Sequence, residues 1–476
     1  MAINPRFLLH GKLIELDRVE PTRTVLQYLR EDLLCMGSKE GCAEGDCGAC
    51  TVAVSHEKDG KTVFEAANAC LMLVPQIDGK SVVTVEGVTD GDGGLHPVQQ
   101  AMVDAHGTQC GFCTPGFIMA LYAFHQSGEP VEVETIHDAL AGNLCRCTGY
   151  RPIVDAALSL ATTPATPETH MAPAPLDTLD KSEIYERDGE RFHAPRSLDR
   201  LLALRAEHPD APLLGGGTDL GILASKERHH FTDIIWTGGV AELKRVVREE
   251  AAITIGAAVT YTDALPAIDE FYPSFATLIR RIGSRQIRNF GTIGGNVCNA
   301  SPIGDTPPCL IALGAIFIAR SKRGAREIDA DDFFVGYRKT ALADDEVLEA
   351  IRLPLPSEDQ VFRAYKVSKR FDQDISAVIG AYALTLRNGT VEKARIAYGG
   401  MAATPARAPG CEAALQGAAW SMDSVLAAGV ALEGDFTPLT DFRASADYRK
   451  RVAARLVRRL YEETSSPHQI TDVMAL

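Results

Sequence analysis

Apolar residues recur along this 476-residue chain with a period that changes as the chain proceeds. Near the start, Phe7-Leu8-Leu9 and Lys12 to Leu16 read as a hairpin and Thr24 to Glu31 as a helix. Val63-Phe64-Glu65 and Val82-Val83-Thr84-Val85 follow as strands, which predicts a small mixed sheet with one helix. From His96 the spacing becomes helical. Val98, Met102 and Ala105 share one face of a helix over 96–107. Residues 115–127 are apolar and open with proline at a helix-start position, with Thr114 as the expected N-cap. Ile136, Leu140 and Leu144 stand at i, i+4 and i+8 in a helix over 133–144, and 150–161 supplies another. Four short helices with short loops predict a compact bundle.

Residues 162–183 contain four prolines and almost no large apolar side chains. That is the composition of a semi-extended linker, able to reach roughly 65 Å at about 3.1 Å per residue. Beyond it stand two glycine-rich stations. Leu213-Leu214-Gly215-Gly216-Gly217-Thr218-Asp219-Leu220 follows a short apolar strand, and Gly291-Thr292-Ile293-Gly294-Gly295-Asn296 precedes Ser301 to Asp305. Neither fits G-x-G-x-x-G, since position 220 is leucine. Paired glycine turns can expose backbone N–H groups to a pyrophosphate, and for each turn alone a plain tight turn is the alternative. From about 360 the chain reads as strands over 362–366, 377–386 and 391–398, then as helices. Tyr448, Val452, Leu456 and Leu460 form a stripe there. Arg449, Lys450, Arg451, Arg455, Arg458 and Arg459 line the remainder, the pattern of a solvated face.

Charge and cysteine content narrow the chemistry. A formal charge of −15 argues against nucleic acid and against an anionic membrane surface. The longest notable apolar run, Cys309 to Ala319, is shorter than the roughly 20 residues a bilayer requires. The first residues lack the order of a secretion signal, so a reducing cytoplasm is the expected compartment. There the 12 cysteines call for something other than disulfides. Cys298, Cys309 and Cys411 are isolated and read as core packing, as does Cys35. The others form two sets of four: Cys42-x4-Cys47-x2-Cys50 with Cys70, and Cys110-x2-Cys113 with Cys145-x-Cys147. The first spacing is the plant-type 2Fe–2S arrangement, in which a glycine-rich loop wraps a flat cluster. The second falls in loops of the expected bundle, beside a helix N-terminus suited to an anionic cluster. Structural zinc is the alternative for both, although a C-x4-C-x2-C triple and a C-x-C pair fit it poorly.

Taken together, residues 41–50, 109–116 and 145–152 and the glycine-rich stations resemble the molybdenum hydroxylase family. The resemblance covers nearly the whole chain. It implies a multidomain α+β protein: a β-grasp 2Fe–2S ferredoxin domain over 1–86, a four-helix 2Fe–2S domain over 87–162 and the proline-rich linker over 163–183. An FAD domain of the vanillyl-alcohol-oxidase type would span 184–357. A C-terminal α+β domain of the CO-dehydrogenase flavoprotein type would span 358–476. By resemblance, Cys42, Cys47, Cys50 and Cys70 hold one cluster, and Cys110, Cys113, Cys145 and Cys147 the other. Leu213, Leu214, Gly215, Gly216, Gly217, Thr218, Asp219 and Leu220 cradle the FAD pyrophosphate. Thr292, Gly295, Asn296 and Asp305 complete the flavin and ribose contacts. Leu348 and Lys366 match later FAD contacts, with strand core and exposed surface as their alternatives. The loop 368–375 corresponds to the segment beside the isoalloxazine.

The domain order resembles that of the small subunit of a two-subunit, xanthine-oxidising member of this family. The implied partner is a molybdopterin-binding large subunit, in a heterotetramer of two small and two large chains. Electrons from hypoxanthine or xanthine would pass through both clusters to FAD and then to NAD+. An aldehyde, carbon monoxide or aromatic acyl-CoA enzyme is the alternative within the family.

Overall fold

The computed structural model describes residues 4–58, 60–89, 94–165, 183–465 and 471. The chain divides into two compact units, Met1–Ala241 with Gly283–Gly291, and Glu242–Ile282 with Thr292–Leu476. The expected linker at 163–183 falls almost wholly outside the described residues.

In the first unit the expected hairpin forms from Arg6–Leu9 and Lys12–Glu15. Arg6–Leu9 also pairs in parallel with Ser81–Val83, and the hairpin Thr51–Lys58 with Lys61–Asn68 completes the sheet. Thr51–Lys58 shows no sequence alternation because Thr51 to Ser55 are all buried, so both faces are covered. Helix Val25–Glu31 lies in the grasp of this sheet. Thr24 and Gln27 close its first turn reciprocally, Gln27 N–H to Thr24 Oγ1 at 3.2 Å and Thr24 N–H to Gln27 Oε1 at 3.0 Å. Its buried residues Leu26 and Leu29 pack with Phe7, Val52 and Val82, each such side chain contributing about 1.5–3 kcal/mol by burial.

The bundle comprises Pro97–Asp104, Thr114–Ser127, Val133–Leu140 and Arg151–Ser159. Its core includes Val98, Phe117, Leu121, Ile136 and Ile153. Two expectations are corrected. The N-cap of the second helix is Cys113, while Thr114 lies inside the helix with its hydroxyl 2.6 Å from that of Thr108. The third helix stops at Leu140, and Leu144 is exposed. Just beyond, a side chain at Gly142 would overlap Gln286, so the close approach there needs glycine. A further sheet runs Ile184–Arg187, Glu190–His193, Asp233–Trp236, Leu213–Leu214, with parallel pairing on both sides of Asp233–Trp236. Its last strand delivers the chain to the first glycine-rich station.

The second unit contains an antiparallel sheet in the order Val246–Arg248, Ala252–Gly256, Val347–Pro354, Ile316–Ser321, Gly324–Asp329. Helices Tyr261–Phe271, Pro273–Arg280 and Thr306–Leu313 share its core. The apolar run 309–319 is split between helix Thr306–Leu313 and strand Ile316–Ser321 by left-handed Gly314. Among the described residues no helix is long and apolar enough to cross a membrane. A second sheet, Gln360–Val367, Val378–Arg387, Thr390–Gly399, Ala406–Arg407, packs against Pro409–Leu415, Met422–Asp435 and Ala446–Ser465. Of the expected stripe on the last helix, Leu456 and Leu460 are buried and Val452 packs against the core, but the first member departs. Tyr448 is exposed, whereas Arg449 is buried and donates to the carbonyls of Ala377 and Gly400 and to Asp441. An arginine whose two terminal nitrogens are met by fixed acceptors fits inside, and hydropathy alone does not show this.

Candidate functional site

Residues 41–50 form a loop of bends in which Ala43, Gly45 and Gly48 have positive φ. The loop turns three backbone N–H groups onto one sulfur: those of Glu44, Asp46 and Cys47 lie 3.5, 3.3 and 3.3 Å from Cys42 Sγ. Asn68 supports the loop from the adjoining strand, donating to Gly45 O at 3.0 Å. Cys47 and the loop N–H groups push the Cys42 thiol down to about 5, against the effect of burial. Cys47 is pushed up by Cys42 and by burial, and Cys70 by Cys50 and by burial. Cys50 and Cys70 are buried.

The second set has the same organisation in a wetter setting. Cys113 sits at the N-cap of Thr114–Ser127, and Cys110 and Cys147 are exposed. Cys110 is lowered by the Phe112 N–H and by Cys147, while Cys147 is raised by Cys110. Burial, then Cys145, pushes Cys113 up to about 12. Burial would raise Cys145, but Thr148 overcomes it, its hydroxyl 3.1 Å from the sulfur. Tyr150 OH accepts the Cys145 N–H at 3.0 Å, and Tyr150 itself has φ 68°.

Each set therefore consists of two thiol pairs, 42 with 47 and 50 with 70, then 110 with 147 and 113 with 145. In the pairs 42/47 and 110/147 one thiol is driven to release its proton and the other to keep it, because two thiolates that near repel. A cation between them removes the conflict and makes every sulfur a thiolate. Two pairs suit two irons, each taking two thiolates. The donor sets thus fit the clusters implied by their spacing.

At the first glycine-rich station, strand Leu213–Leu214 leads into Gly215 to Gly217 and helix Leu220–Ser225. A side chain at Gly216 would overlap the Phe290 carbonyl, so the loop approaches backbone too closely for any other residue. Leu214 and Gly217 are buried, Leu213, Gly215, Thr218 and Leu220 half-buried, and Asp219 exposed. Ser225 donates to Ala43 O, and Lys226 pairs with Glu44, fastening this station to the first cysteine loop.

The other residues expected to contact the flavin lie in the second unit. Thr292 caps helix Ile293–Cys298, accepting from Gly295 N–H at 3.0 Å, and Asn296 Oδ1 accepts from Thr306 Oγ1 at 2.6 Å. Asp305 is held by Lys366 Nζ at 2.6 Å and Ser376 Oγ at 2.8 Å, and Lys366 also donates to Arg281 O at 2.9 Å. Lys366 is thus buried with two fixed acceptors, one of them charged. Leu348 packs in the strand core. In the loop 368–375, Phe371 lies exposed with the Arg281 guanidinium 4.5 Å over its ring, and Asp374 accepts from the N–H groups of Lys369 and Arg370. Cys298 corrects its sequence reading: it is exposed, while Cys309 and Cys411 are buried as expected. Ser376 and Asn68 were missed because single polar residues in strand ends carry no spacing signal. So was the group His193, His208 and Asp233, whose carboxylate is engaged by His193 at 2.9 Å and Arg191 at 2.7 Å.

Comparison with known proteins follows the same divisions. Residues 7–75 match the 2Fe–2S iron–sulfur cluster binding domain and 84–158 the [2Fe–2S] binding domain. Residues 186–356 match the FAD binding domain in molybdopterin dehydrogenase, and 363–464 the CO dehydrogenase flavoprotein C-terminal domain. Xanthine dehydrogenase of Emericella nidulans is 34% identical over 97% of this chain and 38% of its own length. The xanthine dehydrogenase/oxidase of Gallus gallus is 32% identical over 84% of this chain and 35% of its own. The chain thus spans little more than a third of these relatives. Among solved structures, a carbon monoxide dehydrogenase chain from Hydrogenophaga pseudoflava is 31% identical with a TM-score of 0.54, covering 56% of this chain and 94% of that one. A quinoline 2-oxidoreductase chain from Pseudomonas putida 86 is 25% identical with the same TM-score, covering 58% of this chain and 96% of that one.

Proposed function

The chain belongs to the molybdenum hydroxylase family, as its iron–sulfur and FAD region, and from that premise we propose that it is the electron-transfer subunit of a xanthine dehydrogenase. The observation that carries the finer reading is continuity. A single alignment to a xanthine dehydrogenase runs through both iron–sulfur regions and the flavin region, over 97% of the chain. The carbon monoxide and quinoline chains cover a little over half of it. The proposed partner is a molybdopterin-binding subunit that oxidises hypoxanthine or xanthine, and the proposed acceptor is NAD+.

In this reading Cys42, Cys47, Cys50 and Cys70 hold one cluster, and Cys110, Cys113, Cys145 and Cys147 the other. Leu213 to Leu220 would take the FAD pyrophosphate. Thr292, Gly295, Asn296 and Asp305 would take flavin and ribose, with Leu348 and Lys366 alongside. When bound, the clusters supply one-electron carriage and the flavin converts between one- and two-electron chemistry. The residues prepare those sites. The N–H groups of Glu44, Asp46 and Cys47 favour a thiolate at Cys42. Burial of Cys50 and Cys70 keeps water from the inner side of the first loop. Lys366 and Ser376 fix the Asp305 carboxylate so that it presents one orientation. Co-expression with a candidate molybdopterin subunit tests the reading. Xanthine should reduce NAD+ in the complex, whereas the chain alone should oxidise NADH with an artificial acceptor and leave xanthine untouched. Turnover of an aldehyde or carbon monoxide in place of xanthine would overturn the substrate assignment.

A further inference from the structure

The two cysteine sets meet at one backbone hydrogen bond. Leu144 N–H, immediately before Cys145, donates to the carbonyl of Cys47 at 2.9 Å. Beside it runs a buried relay of donors that no cysteine spacing announces. Gln286 Nε2 donates to Asn143 Oδ1 at 2.8 Å, and Asn143 Nδ2 donates to Gly48 O at 3.1 Å. Thr51 Oγ1 donates to the same carbonyl at 2.7 Å and lies within reach of both amides, at 3.3 Å and 3.4 Å. Asn143 and Gln286 are almost wholly buried, at 2% and 1% exposure, where an unmade hydrogen bond is expensive. Gln286 comes from the short segment 283–291, which the first unit takes from far along the chain. Arg285 and Arg288 pin that segment by pairing with Asp138, and Arg285 also with Glu129. The loops meet without slack: a side chain at Gly116 would overlap the Gly48 carbonyl, and one at Gly48 the Gly142 carbonyl.

We propose that Asn143 and Gln286 are positioning residues for the two cysteine sets, fixing the Leu144–Cys47 hydrogen bond and so the spacing between the two clusters. The proposal rests on the reading of both sets as iron–sulfur sites. The relay has a direction. Gln286 must donate so that Asn143 presents its acceptor to it and its own donor to Gly48. Glutamate at 286 keeps the length but cannot donate when ionised. Asn143 would then turn its amide towards 286 and place its oxygen against the Gly48 carbonyl.

The test uses the iron-loaded, flavin-replete chain, reduced with dithionite and examined by low-temperature electron paramagnetic resonance. In the wild type, two cluster signals should appear with a magnetic splitting that reports their separation. In Gln286→Glu and Asn143→Leu both signals should persist at full intensity with the splitting reduced or lost. Gln286→Asn, too short to reach, should behave the same way. Should these variants fold poorly, Thr51→Val removes only the shared hydroxyl and should give a smaller change of the same sign. Splitting unchanged in all folded variants, with only a lower melting temperature, would overturn the proposal, because a purely structural role predicts that result. A wild type lacking two iron signals would instead overturn the cluster assignment, and the spacing claim with it.

Discussion

At the scale of single residues, the cysteines carry the account, and their pairing makes it specific. Cys47→Ser and Cys147→Ser should each abolish a different one of the two cluster signals while leaving the fold and flavin content intact. Loss of both signals from either substitution in a folded, flavinated protein would contradict two separate sites. The Asp305–Lys366 pair gives a second expectation. Its side chains are 9% and 2% exposed, so Lys366→Met leaves an unpaired buried carboxylate and should cost about 3–5 kcal/mol in chemical denaturation. The double variant with Asp305→Asn should recover much of that loss. Gly216→Ala forces the loop off the Phe290 carbonyl and should cost about 1–3 kcal/mol, together with weaker flavin retention on gel filtration. The two sets of cysteines were legible in the sequence as spacing, before the structure gathered each set. Lys366 was open between a flavin contact and exposed surface because hydropathy cannot show that a buried ammonium has two fixed acceptors.

At the scale of elements, the helices were legible and their ends were not. Periodicity located the bundle, but the third helix ends at Leu140, and Gly142 just beyond it passes so close to Gln286, a residue 144 positions away, that no side chain fits there. At the start of the last helix the buried position belongs to Arg449, which finds acceptors inside, and not to Tyr448. Long-range polar pairing leaves no local pattern. The third helix also carries a pH expectation. Burial would raise Asp138, but Arg288 and Arg285 overcome it and hold the carboxyl below its ordinary range. A depressed carboxylate contributes stability that is present above its unfolded pKa and lost as pH falls through its folded one. The stabilisation should therefore be complete above about pH 4 and fade below it. Asp138→Asn should be less stable than wild type at neutral pH, and the two should converge in acid when urea midpoints are compared.

At the scale of the whole chain, the order of two iron–sulfur regions, a flavin region and a C-terminal α+β region was legible because each has a dense signature over a short span. The substrate was not, since nothing in the chain resembles a molybdopterin site. Electron flow can still be dissected. Cys147→Ser should block xanthine-to-NAD+ turnover in the complex yet spare NADH oxidation by the chain alone, because the broken link lies on the molybdenum side of the flavin. The central claim, that this chain stores electrons in two clusters and a flavin, is tested most directly by anaerobic reductive titration with metal analysis. The account predicts about four electrons per chain, one for each cluster and two for the flavin, with iron and no stoichiometric zinc. An end point near two electrons, with zinc in place of iron, would contradict it.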